Sequence, residues 1–399
     1  MQGAPHTART ALPWVRSLSP RSATCLWPVV ALFVAGCGGT SAPRSASGPA
    51  EAPPPTLTSP LIQLPGTPTA AFPLSAPPPP ELTPEQNAQL EQDYARAMNR
   101  ARSSAGKEAV PAFAEFVRKY PFHAPAQASL GLSYQSAGDL VRAAEHLGQA
   151  ARLQPDAAGG WLQYGAVLYQ CDRLGDAVQA LQQAAQRDLR DDTSRFLLAD
   201  VLGRMGFLPQ SIEYLTQCVA LQPTEAGYPI MRAWQRLQSG GNAESVAAAE
   251  ADFRRGLEIN PARAEAHWGI GVCRQRSSDW AGARAALQTA VESGPGLSGA
   301  WYALSQTTRK LGDTAASRTA LARFHQLHAR EVEELQRRFF EGQARRHPGN
   351  ADARYLLGAW YERQGKRDPA VGAYRDALRL APGHGPASLR LAALRAGRD

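Results

Sequence analysis

Downstream of residue 123, small and large apolar residues alternate with polar ones at the period of amphipathic helices, and the pattern repeats every 34 residues. Gly131, Gly165 and Ala199 form one column; Ala143, Ala177 and Ser211 a second; Leu147, Leu181 and Leu215 a third; Ala150, Ala184 and Cys218 a fourth. The pattern resumes with Pro261 and Pro295, Gly271 and Ser305, Ala283 and Ser317, and Leu287 and Leu321. It returns once more as Gly358, Tyr361, Ala370, Tyr374, Ala377 and Pro382. These columns predict helix-turn-helix pairs. Small residues on both helices permit close approach, large ones such as Leu147 and Leu181 fill the space between units, and Pro155, Pro223, Pro295 and Pro382 end one pair before the next. A single pair cannot bury its apolar face, so the pairs must stack.

The units fall at 124–157, 158–191, 192–225, 264–297, 298–331 and 351–384, with degenerate ones near 89–123 and 226–263. Three irregularities stand out. Leu189 replaces the terminating proline. About four extra residues in the 226–263 unit are expected in its turn, around Gln238–Asn242. Pro295 and Pro348 are 53 residues apart rather than 34, and the extra 19 are expected as an elongated helix within Arg323–His347. Ala387–Leu394 reads as a capping helix. At the other end, Thr83-Pro84-Glu85-Gln86 reads as a helix start, with Thr83 capping, Pro84 at the first helical position and Gln86 completing a capping box.

The columns resemble the tetratricopeptide repeat, with Trp161 and Trp301 in its tryptophan column and Tyr134 and Tyr361 in its tyrosine column. That resemblance covers roughly 89–395 and implies an all-α, right-handed superhelical solenoid over 84–399. It also implies a concave groove, lined by the first helix of each pair, that binds a protein or peptide. Leu162, Phe196, Trp268, Tyr302 and Tyr355 then occupy equivalent inward places, with Arg204, Arg276, Arg309 and Arg363 near the ends of those helices. Aromatic side chains beside arginines suit a peptide carrying apolar and acidic groups; the bland alternative is that the rings pad the core and the arginines are solvated. The asparagine and lysine pairs of chaperone-binding members are not found, since Leu132, Ala166 and Asp200 stand at the places checked.

Ahead of the repeats the pattern changes twice. Residues 1–24 carry arginines and no acidic residue, and an apolar run from Cys25 to Ala35 follows, too short to span a bilayer but fitting a secretory signal. It ends in Val34-Ala35-Gly36-Cys37, which resembles the lipobox of bacterial lipoproteins. The resemblance implies a signal peptide at 1–36 and diacylglycerol on the Cys37 thiolate, giving a membrane anchor. Gly38 rather than aspartate next to that cysteine favours the outer membrane, the periplasmic face being preferred. Residues 38–83 hold 13 prolines among small residues, the composition of an extended, disordered tether.

Composition adds exclusions. The formal charge is +8, of which Arg9, Arg16 and Arg21 lie in the leader, and neither a basic stripe nor a nucleic-acid module is visible. Cys171, Cys218 and Cys273 would have to pair across repeats to form a disulfide, and Cys218 sits in an alanine column, as a buried small residue. His325, His328 and Glu331 share a helical face that could hold a metal, against the simpler reading of a solvated face. No nucleophile elbow, P-loop, Rossmann glycine cluster or zinc spacing is present. The expectation is a non-enzymatic, cofactor-free adaptor of the cell envelope; the alternative is a subunit or substrate clamp of an envelope enzyme or assembly complex.

Overall fold

The computed structural model describes residues 80–103, 109–240, 242–347 and 349–397. The expected leader at 1–36, Cys37 and the proline-rich segment as far as residue 79 lie outside them. Among the described residues there are 17 α-helices and no strand. They pair as α1 (Pro84–Ser103) with α2 (Ala109–Lys119), α3 (Ala124–Ser136) with α4 (Leu140–Leu153), and α5 (Ala158–Gln170) with α6 (Leu174–Arg187). Next come α7 (Asp192–Arg204) with α8 (Leu208–Leu221), and α9 (Gly227–Ser239) with α10 (Ala243–Ile259). Then α11 (Ala264–Arg276) pairs with α12 (Trp280–Ser293), α13 (Ser298–Lys310) with α14 (Thr314–Arg346), and α15 (Ala351–Arg363) with α16 (Arg367–Leu380). A last helix, α17 (Gly385–Arg395), packs on α16 and covers its apolar face. Each pair packs on itself and on the next, so the molecule is a tetratricopeptide-type solenoid of helical hairpins.

The local chemistry explains the boundaries. At the entry, Thr83 and Gln86 bond reciprocally: Gln86 N–H donates to Thr83 Oγ1 at 3.2 Å and Thr83 N–H to Gln86 Oε1 at 2.9 Å. Within pairs, the second residue of six tight turns takes positive φ. Glycine fills it at Gly138, Gly206, Gly312 and Gly365, while Asp172 and Ser278 accept it at 63° and 60°. Side chains of Asp139, Asn242, Asp279 and Asp313 then cap the second helices.

One column closes five of the connections between pairs. Trp161 Nε1 donates to Pro155 O at 2.8 Å, Trp301 Nε1 to Pro295 O at 3.0 Å and Gln127 Nε2 to Pro121 O at 2.8 Å. His267 Nε2 stands 3.2 Å from Pro261 O. Where Leu189 replaces proline, the buried Arg195 occupies this column. Its guanidinium donates to the carbonyls of Ala185 (3.1 Å), Asp188 (3.1 Å) and Asp191 (2.6 Å), satisfying acceptors left at the end of α6.

The glycine column works by contact distance. A Cβ on Gly131, Gly165 or Gly271 would stand 2.7, 2.6 or 2.5 Å from Cγ of Leu147, Leu181 or Leu287 on the partner helix. Where serine replaces alanine on the second helix, its hydroxyl finds a carbonyl: Ser211 Oγ donates to Ala199 O at 2.7 Å and Ser317 Oγ to Ser305 O at 2.9 Å.

Two irregularities resolve as helix length. First helices α3 to α15 all have 13 residues, and second helices α4 to α16 have 14 except α10 with 17 and α14 with 33. The four extra residues expected in the turn at Gln238–Asn242 are not there. That turn keeps the usual three residues, α10 is three residues longer, and the α8–α9 connection has one more residue. The alanine-rich start of α10 favours helix over loop, which is why the insertion went there. The extra 19 residues do form an elongated helix: α14 runs unbroken to Arg346. Its far half is reinforced by Glu334, which accepts from Arg337 at 2.6 Å and Arg338 at 2.8 Å; these bonds, Arg337's first, hold its carboxyl down to about 2.

Candidate functional site

First helices of successive pairs lie against one another, α5 with α7, α9 with α11 and α11 with α13, so they form the inner layer of the stack. Polar bonds tie this layer together. Gln135 Nε2 donates to Gln170 Oε1 at 3.1 Å, Gln275 Nε2 to Thr307 Oγ1 at 2.7 Å, and the Tyr169 hydroxyl to Asp200 Oδ2. Burial pushes the Asp200 carboxyl up, opposed by the bond from Tyr169 and by Arg204.

Leu162, Phe196, Trp268, Tyr302 and Tyr355 do share one position, the fifth residue of α5, α7, α11, α13 and α15. They do not form a continuous free row. Leu162 is buried in the core and offers no surface. Phe196 leans on Tyr228 at 5.4 Å, and Tyr355 on Tyr374 at 5.7 Å and His384 at 5.2 Å. Trp268 packs on Trp234 at 4.7 Å and covers Gly299, where a Cβ would stand 2.3 Å from its ring. Tyr302 rests on Phe324 at 5.0 Å yet stays 44% exposed, the openest of the five. Each ring therefore packs on another aromatic side chain and stays partly exposed.

The arginines divide similarly. Arg204 lies 4.9 Å over the Tyr169 ring and pairs with Asp172 at 2.9 Å. Arg276 Nη1 donates to Leu237 O at 2.7 Å, at the end of α9. Arg309 and Arg363 are exposed. Leu132 is half-buried and Ala166 and Asp200 are buried, so these places present no surface amide or amine to a guest carboxylate.

Other candidate groups are accounted for by packing. Among the described residues, Cys171, Cys218 and Cys273 form no disulfide. Burial raises the Cys218 thiol and pushes Cys273 up to about 12, which keeps both protonated. His328 stacks on Phe324 at 5.1 Å with Nδ1 3.7 Å from Glu331, whose Oε2 accepts from Ser298 Oγ at 2.8 Å. No group of three metal-ligating side chains occurs among the described residues. Nor is any helix among them long and apolar enough to cross a membrane.

Sequence reasoning missed a cleft between the far half of α14 and the end of α15. It encloses about 490 Å³ and is lined by Leu335, Gln336, Phe339, Phe340, Trp360 and Arg363. Leu335 and Phe339 are 40% and 47% exposed. Arg363, expected with the groove arginines, lines this cleft instead.

The fold and inner layer define a helical-repeat protein of the kind built for interaction surfaces. Part of the chain matches known repeats: a family profile described as "Tetratricopeptide repeat" matches residues 129–192 and 230–298, and a second so described matches 352–384. Repeats of this type are typically non-catalytic scaffolds that bind proteins or peptides. No curated protein sequence matches the chain. Among solved structures, a tetratricopeptide repeat protein from Parabacteroides merdae is 15% identical, with 68% of this chain and 98% of that one covered and a TM-score of 0.45. YrrB, described as a TPR protein with an unusual peptide-binding site, is 19% identical over 48% of this chain and 96% of its own, with a TM-score of 0.42. The APC/C hetero-tetramer Cut9–Hcn1 is matched at 15% identity over 77% of this chain and 55% of the matched one, with a TM-score of 0.41.

Proposed function

We propose that the protein is a non-enzymatic, lipid-anchored adaptor that holds a protein or peptide partner in a bacterial cell envelope through the inner layer of its solenoid. The observation that carries the reading is the shared position of the partly exposed rings of Phe196, Trp268, Tyr302 and Tyr355 on the first helices α7, α11, α13 and α15. The lipobox-like Val34-Ala35-Gly36-Cys37 supports an anchor on Cys37, and Gly38 in place of aspartate supports the outer membrane.

Two experiments test this reading. Affinity capture from envelope extracts, with partners identified by mass spectrometry, is expected to retain a partner with the full chain and lose it with Tyr302→Ala. Tyr302 is the better variant because its exposure keeps the fold, whereas Trp268→Ala also uncovers Gly299 and needs a folding control. If both variants keep every partner, the inner-layer assignment is wrong. Separately, Cys37→Ala is expected to move the protein from the membrane fraction to the soluble periplasm or to block processing. Unchanged partitioning would rule out the lipid.

A further inference from the structure

In every regular unit, a second helix is covered on one side by its own first helix and on the next by the first helix that follows. The leucine between them is buried: Leu147, Leu181, Leu215 and Leu287 are 0–1% exposed. Leu321 occupies the same column on α14 and is 37% exposed. The cause is the 19-residue extension. It carries α15 along α14 to the far half, where Trp360 Nε1 donates to Gln336 Oε1 at 3.1 Å, the Tyr361 hydroxyl to Glu341 Oε1 at 2.9 Å, and Lys366 Nζ to Glu333 Oε1 at 2.7 Å. Among the described residues, the far half of α14 thus has a following first helix, α15, but no first helix of its own.

The place for one is marked. Leu335 and Phe339 stand 18 residues after Ser317 and Leu321, which is about five whole turns, so they continue the same line along the helix. In the near half that line carries the contact with α13, where Ser317 bonds to Ser305. In the far half it opens onto the 490 Å³ cleft, with Phe340 and Trp360 as its floor. From the end of α13 packing at Glu331 to Arg346 the free length of α14 is about 23 Å, room for roughly four helical turns.

The charge at its end is also set. Arg204 and Arg276 close α7 and α11 and reach back to the preceding pair, to the Asp172 carboxylate and to Leu237 O at the end of α9. Arg363 closes α15 in the same position but faces the cleft, and among the described contacts it has no such acceptor. A helix lying there parallel to α15 would bring its own negative C-terminal end to Arg363.

We infer that this cleft is a docking site for an amphipathic α-helix of a partner protein, taking the place of the missing first helix. Its apolar stripe packs on Leu335, Phe339 and Trp360, and its C-terminal carbonyls or a carboxylate in its last turn bond to Arg363. The site is separate from the inner-layer aromatics and stands or falls without them.

The test uses the full chain and a fluorescent, side-chain-stapled 14-residue helix with leucine at i, i+4, i+7 and i+11 and a free C-terminal carboxylate. Anisotropy is expected to show saturable binding that weakens about thirtyfold in Phe339→Asp, the loss of one central aromatic anchor. In Arg363→Ala, or with an amidated peptide, binding is expected to fall about tenfold, and the two changes together no further than either alone. Both side chains are exposed, so circular dichroism is expected to show unchanged helicity. Tyr302→Ala is expected to leave peptide affinity intact, which separates this site from the inner layer. No saturable binding, equal binding by the Phe339→Asp variant, or loss only with Tyr302→Ala would overturn the assignment. So would concentration-dependent dimerisation abolished by Phe339→Asp, which would assign the cleft to a second copy.

Discussion

At the residue scale, repeat identity is held by what a side chain supplies rather than by which residue supplies it. Tryptophan, glutamine, arginine and histidine all bring a nitrogen to the carbonyls that end the preceding pair, at Trp161, Gln127, Arg195 and His267. Asp200 shows the opposite case, a polar group that the fold holds at a cost. It is buried beside the Tyr169 hydroxyl and near Arg204, and burial raises its carboxyl above the ordinary value. A carboxyl raised in the folded state contributes stability fully below its unfolded value, and that contribution disappears as pH rises through the folded one. Asp200→Asn, which keeps an acceptor for Tyr169, is therefore expected to gain little over the native chain in urea midpoint at pH 3 and to exceed it clearly at pH 8. A midpoint difference equal at both pH values would contradict this account.

At the scale of elements, one column separates regular from irregular packing. Leu287→Ala is expected to cost about 3 kcal/mol, as for a fully buried leucine, and Leu321→Ala only about 1 kcal/mol because the site is already partly open; urea titration measures both. The helix pairs, their order and the length of α14 were legible because 34-residue spacing and proline placement state them directly. The position of the four extra residues was not, because a count between columns cannot say whether a turn or a helix absorbs them; Gly240 and Gly241 drew the expectation to the turn, whereas α10 took three and the α8–α9 connection one. The inner layer was legible only as a list of positions. Leu162 is core and Trp268 is a cover for Gly299, distinctions that depend on residues from neighbouring pairs. The cleft had a sequence signal that went unread: Leu335 and Phe339 repeat the phase of Ser317 and Leu321 after five turns.

At the scale of the whole molecule, stability in a repeat array is a sum of units and nearest-neighbour interfaces. The interface between α14 and α15 is thinner than those joining α4 to α5, α6 to α7 and α12 to α13. Hydrogen exchange is expected to show α15–α17 opening at lower free energy than α5–α8, in a separate step under mild denaturant. A single shared opening energy would mean that α14 couples the two parts fully. The same helix imposes a rule on insertions and deletions. Adding or removing one residue anywhere in its bare span would swing the terminal three helices by about 100° and slide them by about 1.5 Å. Length changes here alter direction before they alter distance, so only steps close to whole turns would leave both ends aimed as they are now.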